Sequence, residues 1–232
     1  MAVPYHWHDF SGGEALAATL ADTVAELLAR AASERGGALL AVSGGTTPAR
    51  FFSALSLADI AWDKVTVTLV DERFVPPSSP RSNAALVGEK LLRNHAAAAR
   101  FVPLFRSGET LDQAADDGEK AFRALALPID VLMLGMGGDG HTASLFPDAG
   151  RLEELLDPAS PRTVMPVHAQ SAGEPRLTLT LAAIARARFV GLHIEGAGKR
   201  AAFESAMSDG PVKPVRAVID ALPRPIEVFW AP

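Results

Sequence analysis

Residues 129–147 read I-D-V-L-M-L-G-M-G-G-D-G-H-T-A-S-L-F-P. The run from Ile129 to Leu134 is apolar except for Asp130. A run of that kind, bounded by turn residues, is the pattern of a buried strand in a parallel sheet. Gly135, Gly137, Gly138 and Gly140 follow it; glycine permits positive φ and lets backbone come close to a ligand. Thr142 to Phe146 is compatible with a helix that Pro147 stops. In open α/β sheets ligands bind outside the carboxyl ends of the strands. This reading therefore delivers His141 to the usual location of a site. A lone histidine, or a glycine turn, is ordinary by itself. Four glycines in six residues, with Asp139 and His141 inside the same loop, point to chemistry.

A second strand–loop unit lies upstream. Ala38–Val42 is a short apolar strand that runs into Ser43-Gly44-Gly45-Thr46-Thr47-Pro48, and Pro48 suits the first turn of a helix over 49–57. Successive backbone N–H groups in such a loop form an anion-binding concavity, with hydroxyls as extra donors. The alternative is a capped turn with no ligand. The loop lacks the lysine of a Walker motif and the G-x-G-x-x-G of a dinucleotide fold. A monophosphate ester fits it better than a polyphosphate. Val65–Val70 is a β-branched strand followed by Asp71-Glu72-Arg73. Those charges are either a solvated loop or a site in which Arg73 forks onto a phosphate. Ser82 and Asn83 cap a helix expected to run to about His95.

Elsewhere strands and helices alternate. Val3–Trp7 reads as a strand whose His6 and His8 share a face, too few ligands for a metal site. Ser11–Ala32 reads as a helix with Ser11 and Glu14 as a capping box. Leu111–Ala126 reads as a helix with a solvated cluster of Asp112, Asp116, Asp117, Glu119 and Lys120. Extended segments at 163–168, 176–180, 189–194 and 226–230 are separated by helices over 181–187, from about Gly196 to Met207, and from Pro214. That alternation predicts an α/β fold: a mostly parallel sheet with helices on both faces. With no linker or repeat, residues 1–232 are expected to form a single domain.

The totals exclude several classes. A net charge of −5 with no basic run argues against nucleic-acid binding. The absence of cysteine removes disulfides, thiolate metal sites and thiol nucleophiles. No apolar run reaches spanning length, and the first residues lack the pattern of a signal peptide. A cytoplasmic protein is expected.

Three motifs together, S-G-G-T-T-P at 43–48, D-E-R-F-V-P at 71–76 with S-N at 82–83, and G-G-D-G-H-T-A-S-L-F-P at 137–147, resemble the glucosamine-6-phosphate isomerase/6-phosphogluconolactonase family. The resemblance extends over essentially the whole chain, and S-L-F-P is its specific part. It implies a fold similar to that of the glucosamine-6-phosphate deaminases, hydrolysis of a 6-phosphogluconolactone in the oxidative pentose phosphate pathway, and no organic cofactor; no metal site is expected. It implies His141 as general base with Asp139 beside it. Ser43, Gly44, Gly45, Thr46, Arg73 and Lys199 are implied to hold the phosphate, and Asp71, Asn83, Gly137 and Gly138 to line the substrate. Gly198 stands where an acidic residue is expected before the lysine, which weakens the match at Lys199. The implied partner is a small sugar-phosphate lactone, bound by a monomer or small homo-oligomer that engages neither nucleic acid nor membrane.

The chemistry is consistent with these residues. A δ-lactone is an activated ester, so one imidazole can deprotonate the attacking water and then protonate the leaving ring oxygen. S-G-G-T is not the G-x-S-x-G of a nucleophile elbow, so no acyl-enzyme is expected. Backbone N–H groups of Gly137 and Gly138 could meet the oxyanion. Asp139 either orients His141 or caps a following helix. Two alternatives stay open. A deaminase on the same scaffold would carry an aromatic-Asn-Glu-Pro ending in place of S-L-F-P. A non-catalytic sugar-phosphate sensor would need a DNA-binding segment for which the chain has no spare length.

Overall fold

The computed structural model of the chain describes residues 4–105, 110–125 and 128–232. The expected strand start at Val3 and helix end at Ala126 lie outside them. In chain order the strands and helices are β1 (Tyr5–Asp9), α1 (Gly13–Arg35), β2 (Ala38–Val42), α2 (Ala49–Leu55), β3 (Val65–Leu69), β4 (Asp71–Arg73), α3 (Asn83–Lys90), β5 (Arg100–Val102), α4 (Leu111–Ala124), β6 (Val131–Leu134), α5 (Leu152–Leu155), β7 (Val164–Val167), β8 (Arg176–Leu179), α6 (Leu181–Ala185), β9 (Phe189–Glu195), α7 (Ala197–Met207), α8 (Pro214–Ala221) and β10 (Ile226–Ala231).

Seven strands form one parallel sheet in the order β1-β10-β9-β6-β2-β3-β5. Every residue of β2, β3 and β6 is buried, so both faces of the sheet centre are covered. Thr68 tolerates this because its Oγ1 donates to Val102 O at 2.8 Å. A second sheet, β4-β8-β7, is antiparallel. Segments 163–168 and 176–180 read as extended, but Asp71–Arg73 read as a loop or a site; it is a strand because it pairs with β8, about a hundred residues along the chain, which no local pattern carries.

The order of the large sheet locates the site. From β2 the chain moves outward through β3 and β5; from β6 it moves the other way through β9 and β10. The reversal falls between β2 and β6, and at such a switch point the loops leaving the two strands part and leave a crevice.

Several expected details change. No Ser11–Glu14 capping box forms: α1 starts at Gly13 behind Gly12, without a side-chain cap. It runs past Ala32 to Arg35, because Gly36 supplies the left-handed stop (φ 76°) and donates to Ala32 O. α3 ends at Lys90, and residues 94–98 form a separate 3₁₀ turn. Glu119 is not part of a solvated cluster. It is buried, and its carboxylate accepts from Thr163 N at 2.6 Å, Val164 N at 2.8 Å and Arg123 Nε at 2.7 Å, tying α4 to β7.

Candidate active site

The loop after β2 is joined to the loop after β6 at its first residue. Ser43 N donates to Met133 O at 3.0 Å, and Ser43 Oγ accepts from Gly135 N at 3.2 Å. Beyond that the first loop is open. Among the described residues, the N–H groups of Gly44, Gly45, Thr46 and Thr47 have no hydrogen-bond partner. Gly45 is left-handed (φ 93°), and a Cβ on Gly44 would overlap the Asn83 carboxamide. Asn83 is held in turn: its Nδ2 donates to Asp71 O at 2.8 Å and Asp71 Oδ1 at 3.3 Å. Behind it, the buried Glu72 carboxylate accepts from Arg73 N, Asn83 N, Ala84 N and Ser82 Oγ, at 2.7 to 3.0 Å. Burial pushes the Glu72 carboxyl up, and those four donors oppose the rise without cancelling it.

The second loop is closed by its own bonds. Gly137 N donates to His141 O at 2.8 Å, Gly140 N to Gly137 O at 3.1 Å and Thr142 Oγ1 to Gly135 O at 2.7 Å. From outside, Val215 N of α8 donates to Gly140 O at 3.0 Å. Asp139 Oδ1 accepts from His141 N at 3.1 Å and lies 2.6 Å from His141 Nδ1. Burial pushes the Asp139 carboxyl up, but the His141 backbone N–H, ring charge and ring hydrogen bond outweigh it and hold the group below its ordinary value. An ionised carboxylate only accepts, so Nδ1 carries a hydrogen, and the tautomer this selects for the neutral ring leaves the lone pair on Nε2. The ring is half-buried, 4.3 Å from Phe146 between centroids. A Cβ on Gly137 would overlap both this ring and the Asp139 carboxylate.

Two expectations fail in this loop. Residues 142–146 are not helical. Thr142 and Leu145 bridge each other across a tight turn, with Ala143 left-handed at φ 50°. Long-range bonds take the segment away from a helix: Ser144 Oγ donates to Asp71 Oδ2 at 2.6 Å, and Ser144 N to Thr178 Oγ1 at 3.2 Å. Asp139 therefore caps no helix; the contact it makes is with His141. Nor is Gly137 N–H free for an oxyanion, since the His141 carbonyl occupies it.

Between the loops lies a cavity of about 250 Å³. Ser43 to Thr46, Asp71, Arg73 and Asn83 form one part of its wall, and Gly137, His141 and Lys199 another. Gly138 and Asp139 stand outside it. Arg73 donates through Nη1 to Arg81 O, and its buried Nε has no partner among the described residues. Lys199 Nζ donates to Met136 O at 2.6 Å. Three cations, Arg73, Arg176 and Lys199, face one carboxylate, Asp71, so the wall favours an anionic ligand. Among the described residues no cluster of three or more metal-ligating side chains exists.

The model of the family described as glucosamine-6-phosphate isomerases/6-phosphogluconolactonase matches residues 11–230. The chain belongs to this family. It is similar to the 6-phosphogluconolactonase of Mesorhizobium japonicum, with 63% identity over 98% of this chain and 96% of that one. It is also similar to that of Rhizobium meliloti, with 50% identity over 97% and 98%. The crystal structure of a 6-phosphogluconolactonase from Shewanella baltica superposes with a TM-score of 0.94, at 36% identity and 98% coverage of both chains. The mostly parallel sheet is thus the fold of the 6-phosphogluconolactonase family.

Two residues that line this cavity went unread as site residues in the sequence. Arg176, at the start of β8, is buried, donates through Nη2 to Ala172 O at 2.7 Å, and lies 5.6 Å over the Phe146 ring. Burial draws its pKa down against the pull of Asp71, but a guanidinium stays charged. His193, inside β9, is also buried and lines the cavity. Both strands were legible as strands; which of their residues face the cavity depends on pairing that a single run does not contain.

Proposed function

We propose that this protein hydrolyses 6-phospho-D-glucono-1,5-lactone to 6-phosphogluconate, a step of the oxidative pentose phosphate pathway, with His141 as general base. The observation that carries the reading is the Asp139–His141 pair beside a cation-lined cavity whose other wall offers unpaired backbone N–H groups. The phosphoryl group would lie on Ser43, Gly44, Gly45 and Thr46, with Arg73 and Lys199 as its cations. Asp71, Asn83 and Arg176 would shape the wall against the sugar. Phosphate binding is remote from C1, so it orients the lactone rather than activating it.

In the proposed step, His141 Nε2 takes a proton from water as the water oxygen bonds to C1. The tetrahedral intermediate then breaks its bond between C1 and the ring oxygen. That oxygen leaves with the proton returned by His141, and the new carboxyl group ionises into solvent. Asp139 stabilises the imidazolium in between, as an ionised partner at Nδ1. General base catalysis of this kind contributes roughly 10²–10⁴-fold.

We read residues 1–232 as one domain, which the 11–230 family match and the continuous cluster of buried residues among the described ones support. No helix among the described residues is long and apolar enough to cross a membrane, and the reading assigns the enzyme to the cytoplasm with its phosphorylated substrate. The test is lactone opening above the spontaneous rate, wild type beside His141→Ala, with glucosamine 6-phosphate as a second substrate. The expected result is lactone turnover that falls about 10³-fold in the variant, and no ammonia release. Unchanged turnover in His141→Ala removes the base; ammonia release moves the chain to the other half of its family.

A further inference from the structure

His193 is 4% exposed in the middle of β9, paired in register with Phe229 of β10. Its ring stands edge-on to Phe51, 6.2 Å between centroids, and lines the same cavity as the 43–48 loop and Lys199. Nε2 lies 3.0 Å from Glu195 Oε1, while the buried Nδ1 has no hydrogen-bond partner among the described residues. The other Glu195 oxygen accepts from Arg50 Nη2 at 2.9 Å. Arg50 is the second residue of α2, two positions beyond the end of the open loop. The start of α1 lies against one side of this ion pair, whose Arg50 end is exposed: a Cβ on Gly13 would come within 3.0 Å of both Arg50 Nη2 and Glu195 Oε2. A ring on the cavity wall is thus tied, through one carboxylate, to the helix that carries the loop.

An ordinary core histidine is the competing explanation. An apolar side chain would fill the space beside Phe51 without burying an unpaired nitrogen, which is unfavourable. Core packing does not explain retaining that cost, nor an ion pair that reaches to α2.

We propose that His193 is a positioning residue for the phosphoryl end of the substrate, acting through Glu195 and Arg50 to hold α2 and the open donors of residues 44–47 in their binding arrangement. The term "substrate" rests on the lactonase reading; the positioning of an anion does not. Burial also keeps the imidazole toward its neutral form, against the pull of Glu195. The Nε2 hydrogen is therefore the one that Glu195 accepts.

The test uses the full chain with His193→Leu and His193→Gln. It measures KM and kcat on the phospholactone, the dissociation constant of inorganic phosphate by calorimetry, and the thermal midpoint. In His193→Leu both KM and the phosphate dissociation constant should rise about tenfold with kcat within about threefold of wild type, since the lost interaction orients without touching C1. His193→Gln, whose amide can still donate to Glu195, should recover most of that loss. Glu195→Gln should act in the same direction, and adding it to His193→Leu should cost little more, because the two side chains act as one unit. Phosphate affinity within about twofold of wild type in both His193 variants overturns the proposal. So does a fall in kcat at constant KM, or wild-type protein that binds no phosphate at tens of millimolar. If His193→Leu does not fold, Glu195→Gln carries the same phosphate measurement, and affinity within about twofold of wild type in it overturns the proposal. Wild-type protein that opens no lactone, yet binds phosphate in a manner dependent on His193, sinks the lactonase reading and leaves this one standing.

Discussion

The loop after β2 and the loop after β6 leave neighbouring strands at the same end of the sheet, yet they are held in opposite ways. The first has four consecutive backbone N–H groups without a partner among the described residues, and its shape is imposed from behind by Asn83 against Gly44. The second uses its donors on itself, through Gly137, Gly140 and Thr142, and is strapped from outside by Val215. Under the proposed function each arrangement suits its task. A phosphoryl group supplies the acceptors that the first loop lacks, and ligand binding completes it. A general base must already stand within hydrogen-bond reach of the water it activates, so its loop is finished before substrate arrives.

The largest effect should come from disturbing the finished loop. Gly137→Ala places a methyl group where the His141 ring and Asp139 carboxylate now lie. We expect kcat to fall about 10³-fold, close to His141→Ala, because the ring cannot keep its place and the base contribution is lost. Retained phosphate affinity would show that the damage stays on one side of the cavity. A loss of affinity equal to the loss of kcat would break the comparison.

Asp139→Asn should cost less, about 10²-fold in kcat, the low end of a general base's contribution, because the carboxylate is partly exposed; KM should be nearly unchanged. The amide can present a donor to Nδ1 and favour the wrong tautomer, but it does not move the ring. The pH dependence has a definite sign. The folded Asp139 carboxyl lies below its ordinary value of 3.8. Its contribution to stability is therefore full above 3.8 and is lost as pH falls through the lower folded value. Acid titration of unfolding should show the wild-type advantage over Asp139→Asn disappearing only in that window.

On the open loop, Gly44→Ala should raise KM about tenfold and leave kcat within about threefold, since the added methyl group collides with the end of a side chain rather than with backbone. Pairing it with Asn83→Ala should restore part of the KM, because the two changes share one collision. Additive losses in the double variant would mean that Asn83 does more than shape Gly44.

The difference between the loops also separates what a reader of the sequence can and cannot see. Glycines after an apolar run announce a turn at a strand's carboxyl end, so both loops, and with them Ser43 to Thr46 and His141, stood out locally. Residues 142–146 did not, because Ser144 bonds to Asp71 and Thr178, far along the chain, and these bonds override a helix-compatible composition. The partners that hold the site have the same character. Arg176 and His193 sit on strands that are almost wholly buried, where the alternation of faces is hidden. Glu119 looked like one acid in a charged helix, and its buried contacts depend on β7 lying against α4. Strand order decides the switch point as well, and order is a property of pairing rather than of any single segment.

The smallest effect should come from relieving strain inside the finished loop. Ala143 lies at φ 50°, where an L-residue with a Cβ costs roughly 1–2 kcal/mol relative to the right-handed region. Glycine removes that cost, but it adds conformational freedom to the unfolded chain, worth about 0.4–1 kcal/mol in the opposite direction. The net change in stability for Ala143→Gly should therefore lie between about 0 and 1.6 kcal/mol and be favourable in sign, a rise of at most a few degrees in the thermal midpoint. If the loop is held by its bonds rather than by the stiffness of one residue, kcat should stay within about twofold, because Thr142 keeps its bond to Gly135 within the loop and Ser144 its long-range bond to Asp71. A tenfold loss of kcat with unchanged stability would mean that the Ala143 methyl, which lines the cavity, sets the position of His141 directly. The loop would then depend on packing at one point instead of on its network of hydrogen bonds.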